Sequence, residues 1–154
     1  MIGRAAMNIA GTQVGVREAT GHNDGTAVEG YLASVGLGKG YSWCMAFVYW
    51  CVKQAALAAG IPNPLEQTGG VLEEWNSGRG QHIEKHSIQA GDIGILDLGS
   101  GHGHTFFITG AWPEQDLIHT IEGNTNDDGS ADGIGVFRRQ RRISDPHFVG
   151  AIRI

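Results

Sequence analysis

Hydrophobic positions change their period along this chain near residue 80. Before it, apolar residues return every three or four positions; after it, every second position. Met1 to about Gly11 reads as a helix of small residues, and Thr26 to Val35 as another, entered from the turn Asn23-Asp24-Gly25. Trp43 to Gly60 carries apolar side chains at 44, 47, 48, 51, 55 and 58, one helical face, and its first half is apolar all round. Such a helix belongs in the middle of a fold, with Ser42 as the expected N-cap and Gly60 and Pro62 closing it. A short helix near Gly70 to Asn76 follows the IPNP turn. From Ala90 the segments GDIGILDL, HTFFITGAW, LIHTIEG, IGVFRRQRRI and HFVGAIRI predict five strands, separated by Gly, Pro, Asn and Asp clusters. Helices followed by strands define an α+β fold, and the short connections favour an antiparallel meander packed on the apolar helix.

Composition narrows the class. A length of 154 residues without an internal repeat or linker predicts a single domain spanning 1–154. With 41% hydrophobic and 18% charged residues the chain is neither disordered nor a bilayer protein, and its longest apolar run, Trp43 to Val52, is too short to insert in a membrane. Eleven basic against sixteen acidic residues argue against nucleic acid as a partner. Cys44 and Cys51 stand two helical turns apart, roughly 10 Å along the axis, too far for a disulfide, so both thiols are expected free. The N-terminus lacks the apolar core of a signal peptide.

Three short segments carry the candidate chemistry. Tyr41-Ser42-Trp43-Cys44 puts a thiol in the first turn of the central helix, where unpaired N–H groups and the helix dipole favour a thiolate. Such a position, with an imidazolium nearby, can bring a cysteine pKa from ~8.5 down to roughly 3.5–7.5. Taken alone, a cysteine there is as well explained as a small buried hydrophobe. Gly101-His102-Gly103-His104 opens an apolar strand and offers an imidazole as base. His102 and His104 share parity, so spacing does not choose between them. Ile121-Glu122-Gly123-Asn124 closes a later strand with a carboxylate and an amide of equal parity, either of which could orient an imidazole.

Other patterns lead less far. His102-x-His104 lacks further zinc ligands, and His82 and His86 in QHIEKH are not a metalloprotease motif. Asn124-Thr-Asn126-Asp-Asp128-Gly129 opens like an EF-hand but has Gly135 where the bidentate glutamate belongs. No metal or other cofactor is expected. The run Arg138-Arg139-Gln140-Arg141-Arg142 reads as a solvated strand face, although it could grip teichoic acid, nucleic acid or peptide carboxylates. Trp50, Trp75 and Trp112 read as packing residues, and Trp43 as a wall of the active cleft.

In order and context, Trp-Cys opening a helix, Gly-x-Gly-His opening a strand and Glu-Gly-Asn closing the next resemble the CHAP family. The resemblance runs from about Val14 to Ile143 and includes the lead-in Gly15-Val16-Arg17-Glu18 with Gly21-His22-Asn23-Asp24. It implies a papain-like fold related to NlpC-type peptidases, and a cysteine- and histidine-dependent amidohydrolase or peptidase; most known members cut peptidoglycan. Carried over by position, it makes Cys44 the nucleophile, His104 the base, and Glu122 with Asn124 the orienting groups. Tyr41, Trp43 and His102 are expected to meet substrate. Met45 and Phe106 depart from the small residues usual after the cysteine and two after the histidine. The expected protein is a monomeric peptidoglycan hydrolase, amidase or endopeptidase. It would be made in the cytoplasm and reach the wall by lysis or a dedicated secretion system, as a phage lysin or an antibacterial effector with an immunity protein. A papain-like amidase or peptidase acting on a soluble peptide or small conjugate, and a catalytically silent binding domain of the same fold, are the alternatives.

Overall fold

The computed structural model describes residues 1–125 and 133–154; the Asn126-to-Gly129 part of the EF-hand-like segment lies outside the described residues. Among the described residues the helices are α1 (Ile2–Thr12), α2 (Thr26–Ser34), α3 (Cys44–Ala59) and α4 (Val71–Asn76). The strands are β1 (Gln81–Ile83), β2 (Ile93–Gly99), β3 (His102–Trp112), β4 (Leu117–Thr125), β5 (Gly135–Arg141) and β6 (Phe148–Arg153). They form one antiparallel sheet in the order β1-β6-β2-β3-β4-β5.

The α+β reading holds, and the five expected strands are β2 to β6. Two details differ. β1 is only three residues long, too short to show a period, and owes its existence to pairing with β6, where Gln81 faces Arg153 and Ile83 faces Ala151. Nor is the sheet a simple meander, because β6 returns across it to lie between β1 and β2.

The first half of α3 is apolar on every side because every side of it is covered. α1 and α2 pack against it, and β3 and β4 lie against it from the sheet. Tyr31 of α2 sits at the centre of an aromatic cluster with Trp43, Phe47 and Trp50, at ring-centroid distances of 5.7, 5.1 and 5.1 Å. Gly60 ends α3 in the left-handed region, φ 69°, as its position suggests. Ser42 does not cap the other end; the N-cap is Trp43, without a side-chain bond. The strands divide their apolar residues between two clusters: Ile93, Ile95, Phe107 and Ile121 join α3, and Leu96, Phe106, Ile108 and Ile118 join Phe148 and Ile143. Among the described residues no helix is long and apolar enough to cross a membrane.

Candidate active site

Cys44 is the first residue of α3 and is 5% exposed. It lies in the wall of a cleft of about 440 Å³ whose other walls come from Ser42, the turn Gly69-Gly70 with Val71, Leu98, the segment Gly101-His102-Gly103, and Asn124. Cys51, two turns further along α3, is fully buried, and burial pushes its thiol well above the usual range. Both cysteines are free. One helix thus holds an inert thiol in its interior and an accessible one at the end where backbone N–H groups are unpaired.

His104 of β3 is entirely buried, and its Nε2 stands 2.7 Å from Glu122 Oε1. An ionised carboxylate only accepts hydrogen bonds, so Nε2 carries the proton in that contact. Nδ1 is buried and makes no hydrogen bond, which leaves it as the nitrogen able to take a proton. Burial alone would lower the proton affinity of this ring. The nearby Cys44 thiol and the Glu122 carboxylate outweigh it and raise the His104 pKa to about 9. Burial would likewise raise Glu122, but Arg141 first and His104 second hold it down to about 2. Four donors surround that carboxylate: Oε1 accepts from His104 Nε2 at 2.7 Å and Arg141 Nη2 at 2.6 Å. Oε2 accepts from Thr120 Oγ1 and Arg141 Nε, both at 2.6 Å.

Glycines in the two sheet motifs bring these groups together. A Cβ on Gly103 would stand 2.9 Å from both the Leu96 carbonyl oxygen and the Val71 side chain, so only glycine lets β3 run between β2 and α4 just before His104. A Cβ on Gly123 would come within 2.8 Å of the Phe47 ring, so glycine lets β4 pass close to α3 between Glu122 and Asn124. The β4–β5 register then shifts between Glu122 and Thr125, and Asn124 takes a left-handed backbone, φ 57°. Asn124 therefore faces the cleft, with its Oδ1 buried and unpartnered.

The residues singled out from sequence separate into distinct places. Cys44, His102 and Asn124 line the cleft, while His104 and Glu122 are buried. Of the two histidines, His104 holds the carboxylate and His102 is exposed at the cleft. Tyr41 is exposed on the turn before α3 and is not among the residues lining the cleft. Trp43 does not wall the cleft either: it is 0% exposed, stacked on Tyr31, and its Nε1 donates to Glu18 Oε1 at 2.8 Å. The aromatic cluster under α3 claims the ring that sequence order placed beside the thiol.

Sequence reading missed Arg141, treating its run as solvated. The signal was strand parity: Arg141 pairs with Ile118, Arg139 with Thr120 and Phe137 with Glu122, so Arg141 shares a face with the buried carboxylate while Arg138, Gln140 and Arg142 are exposed. Gly69, Gly70 and Leu98 carried no such signal. Among the described residues no group of three or more His, Cys, Asp or Glu is placed to hold a metal ion.

A thiol at a helix start, an imidazole behind it and an ionised carboxylate on the far ring nitrogen bring together the group types that nucleophilic catalysis combines. The CHAP domain model matches residues 36–124, more than half of the chain, and the chain belongs to the CHAP domain family. Among solved structures the fold is similar to that of the wild-type endolysin LysIME-EF1, with a TM-score of 0.61 and 17% identity over 96% of this chain and 62% of that one. It is also similar to Ly7917, with a TM-score of 0.55 and 19% identity over 97% of this chain and 61% of that one. A second Ly7917 structure, with the hydrolysing product of MDP, gives a TM-score of 0.56 and 18% identity over 97% of this chain and 62% of that one. The chain thus spans less than two thirds of the length of these structures. No curated protein matches it.

Proposed function

We propose that this chain is a peptidoglycan hydrolase that cuts an amide bond through an acyl-enzyme on Cys44. The observation that carries the reading is the placing of His104, buried beside Glu122 with its Nδ1 unpartnered and its proton affinity raised by Cys44. Nδ1 takes the thiol proton, and the thiolate attacks the amide carbonyl. The unpaired backbone N–H groups at the start of α3 hold the oxyanion of the tetrahedral intermediate. The imidazolium then gives its proton to the departing amine, the C–N bond breaks, and the acyl group stays on sulfur. His104 next takes a proton from water, hydroxide attacks the thioester, and the acid product leaves as sulfur recovers its proton. Throughout, Glu122 keeps the ring orientation and offsets its positive charge.

The cleft supports a peptide substrate. Gly69, Gly70, Gly101 and Gly103 in its walls let an extended backbone approach closely, and among the described residues lining it His102 is the one titratable side chain besides Cys44. Peptidoglycan as the source of that peptide rests on family membership and on similarity to an endolysin. We read the protein as a monomeric, bacteriolytic catalytic domain that reaches the wall through lysis or a secretion system.

Purified walls digested with the wild type and with Cys44→Ala, followed by mass analysis of the released fragments, test this reading. New amino termini within the peptide would mark an endopeptidase, and peptides freed from the sugar would mark an amidase. Identical fragment profiles for the two proteins would end the hydrolase assignment.

A further inference from the structure

We infer that Arg141 is a positioning residue of this reaction, acting through Glu122 to keep His104 in the tautomer and orientation that Cys44 needs. The inference rests on the reading above, in which Cys44 and His104 carry out the hydrolysis. It starts from a bidentate pair: Nε to Oε2 and Nη2 to Oε1, both at 2.6 Å, with the guanidinium seated over the Phe106 ring at 5.2 Å. The Arg141 side chain is 14% exposed and the Glu122 side chain 0%. A planar fork of this kind fixes both carboxylate oxygens at once, which a single ammonium does not.

The groups facing Glu122 are His104 from β3, Thr120 from its own strand and Arg141 from β5; those facing His104 are Cys44 from α3 and Glu122. Among them Arg141 is the only one with a permanent positive charge. Without it, a carboxyl group at 0% exposure is driven towards its neutral form. A neutral carboxyl donates a hydrogen bond where the ionised one accepts. It would keep its proton and donate a hydrogen bond to Nε2, and the neutral ring would then carry its one hydrogen on Nδ1, the nitrogen required to take a proton from Cys44. Arg141 therefore protects the tautomer as well as the geometry.

The test uses the full chain with Arg141→Gln, Arg141→Lys and Cys44→Ala. It reads saturating and half-saturating rates on solubilised peptidoglycan from pH 4 to 9, alkylation of Cys44 by iodoacetamide over the same range, and folding by circular dichroism. Arg141→Gln should lower kcat by about ten- to a hundredfold, the scale on which a partner behind a functional group acts, with KM little changed. Its acidic limb, in turnover and in alkylation alike, should move up by about one to three pH units. Arg141→Lys should recover part of both. Wild-type kcat and pH profiles in a folded Arg141→Gln would overturn the inference. If that variant does not fold, an unshifted profile in Arg141→Lys overturns it and a partly shifted one supports it. Activity retained by Cys44→Ala would instead overturn the functional reading itself.

Discussion

Glu122 at the end of β4 and Glu74 in α4 are both shut off from solvent, yet their surroundings push them in opposite directions. Glu122 meets four donors, two of them from a guanidinium, and is held down to about 2. Glu74 receives one backbone N–H, from Glu66 at 3.2 Å, and its Oε2 has no partner. Burial lifts it to about 7, the charge of Glu66 adds to the rise, and Arg79 opposes it only partly because its guanidinium is engaged with Glu66 at 3.2 Å. Burial is common to both regions, so the number and charge of donors decide which carboxyl stays an anion. The region with the donors is the one that holds the imidazole.

Exchanging each carboxylate for an amide is the largest way to sharpen that contrast. Glu122→Gln keeps the shape but can present an N–H to Nε2, and so reverses the ring tautomer. Turnover on walls should fall by about three to four orders of magnitude, as expected when the orienting carboxylate of a triad is lost. Glu74→Gln should leave turnover within a few-fold of the wild type, since Glu74 bonds to no member of the site. Comparable losses in both variants would break the distinction between the regions.

Gly123→Ala disturbs only one of them. The added methyl would meet Phe47 at 2.8 Å, forcing β4 away from α3 at the residue after Glu122. Overpacking of this kind costs about 1–3 kcal/mol, readable in urea denaturation, and turnover should fall further than stability because Glu122 moves relative to His104. A variant with wild-type turnover would show that the approach of β4 to α3 does not set the site.

These glycines also show what the sequence could and could not reveal. The period-two segments and the apolar helix were visible because burial writes itself into residue type at fixed spacing. Cys44 stood out because it opens a helix, and His104 and Glu122 because each lies beside a glycine near the end of a strand. The place of Asn124 in the cleft wall was not legible, because it depends on a register shift and a left-handed backbone that no local pattern announced. Trp43 was misjudged because adjacency in sequence says nothing of direction at a helix start: a helix turns neighbouring side chains about 100° apart, and the ring went to Tyr31 and Glu18. Arg141 was hidden in a run of like residues, where composition suggested solvent and only the pairing with β4 separated its two faces.

A smaller effect follows at that misjudged tryptophan. Trp43→Phe keeps the packing on Tyr31 but removes the N–H that reaches Glu18, a bond to a charged acceptor worth about 1.5–3 kcal/mol at most. Urea denaturation should show a loss towards the lower end, because Glu18 is only half-buried and water can replace the donor. Cys44 should remain as reactive to iodoacetamide as in the wild type. A large fall in that reactivity would show that the Glu18 contact also aims the thiol.

The finest test of the two carboxyl groups is the slope of stability with pH. Glu122 is depressed from an ordinary 4.5 to about 2, so the unfolded chain binds its proton first. The stability it contributes is complete above pH 4.5 and is lost as pH falls through about 2. Glu74 is raised from 4.5 to about 7, so here the folded chain binds the proton first. Its contribution is complete below pH 4.5 and is lost as pH rises through about 7. The two slopes are opposite and occupy adjacent windows. Urea denaturation of the wild type and Glu74→Gln should therefore give curves that run parallel below pH 4.5 and diverge above it, with the variant gaining until about pH 7 and holding that gain beyond. The divergence should be modest because Glu74 keeps one backbone donor and has Arg79 in its vicinity. Curves that stay parallel from pH 4 to 8 would mean that the Glu74 carboxyl finds a donor for Oε2, and the two regions would then differ in the strength of their donors rather than in having them.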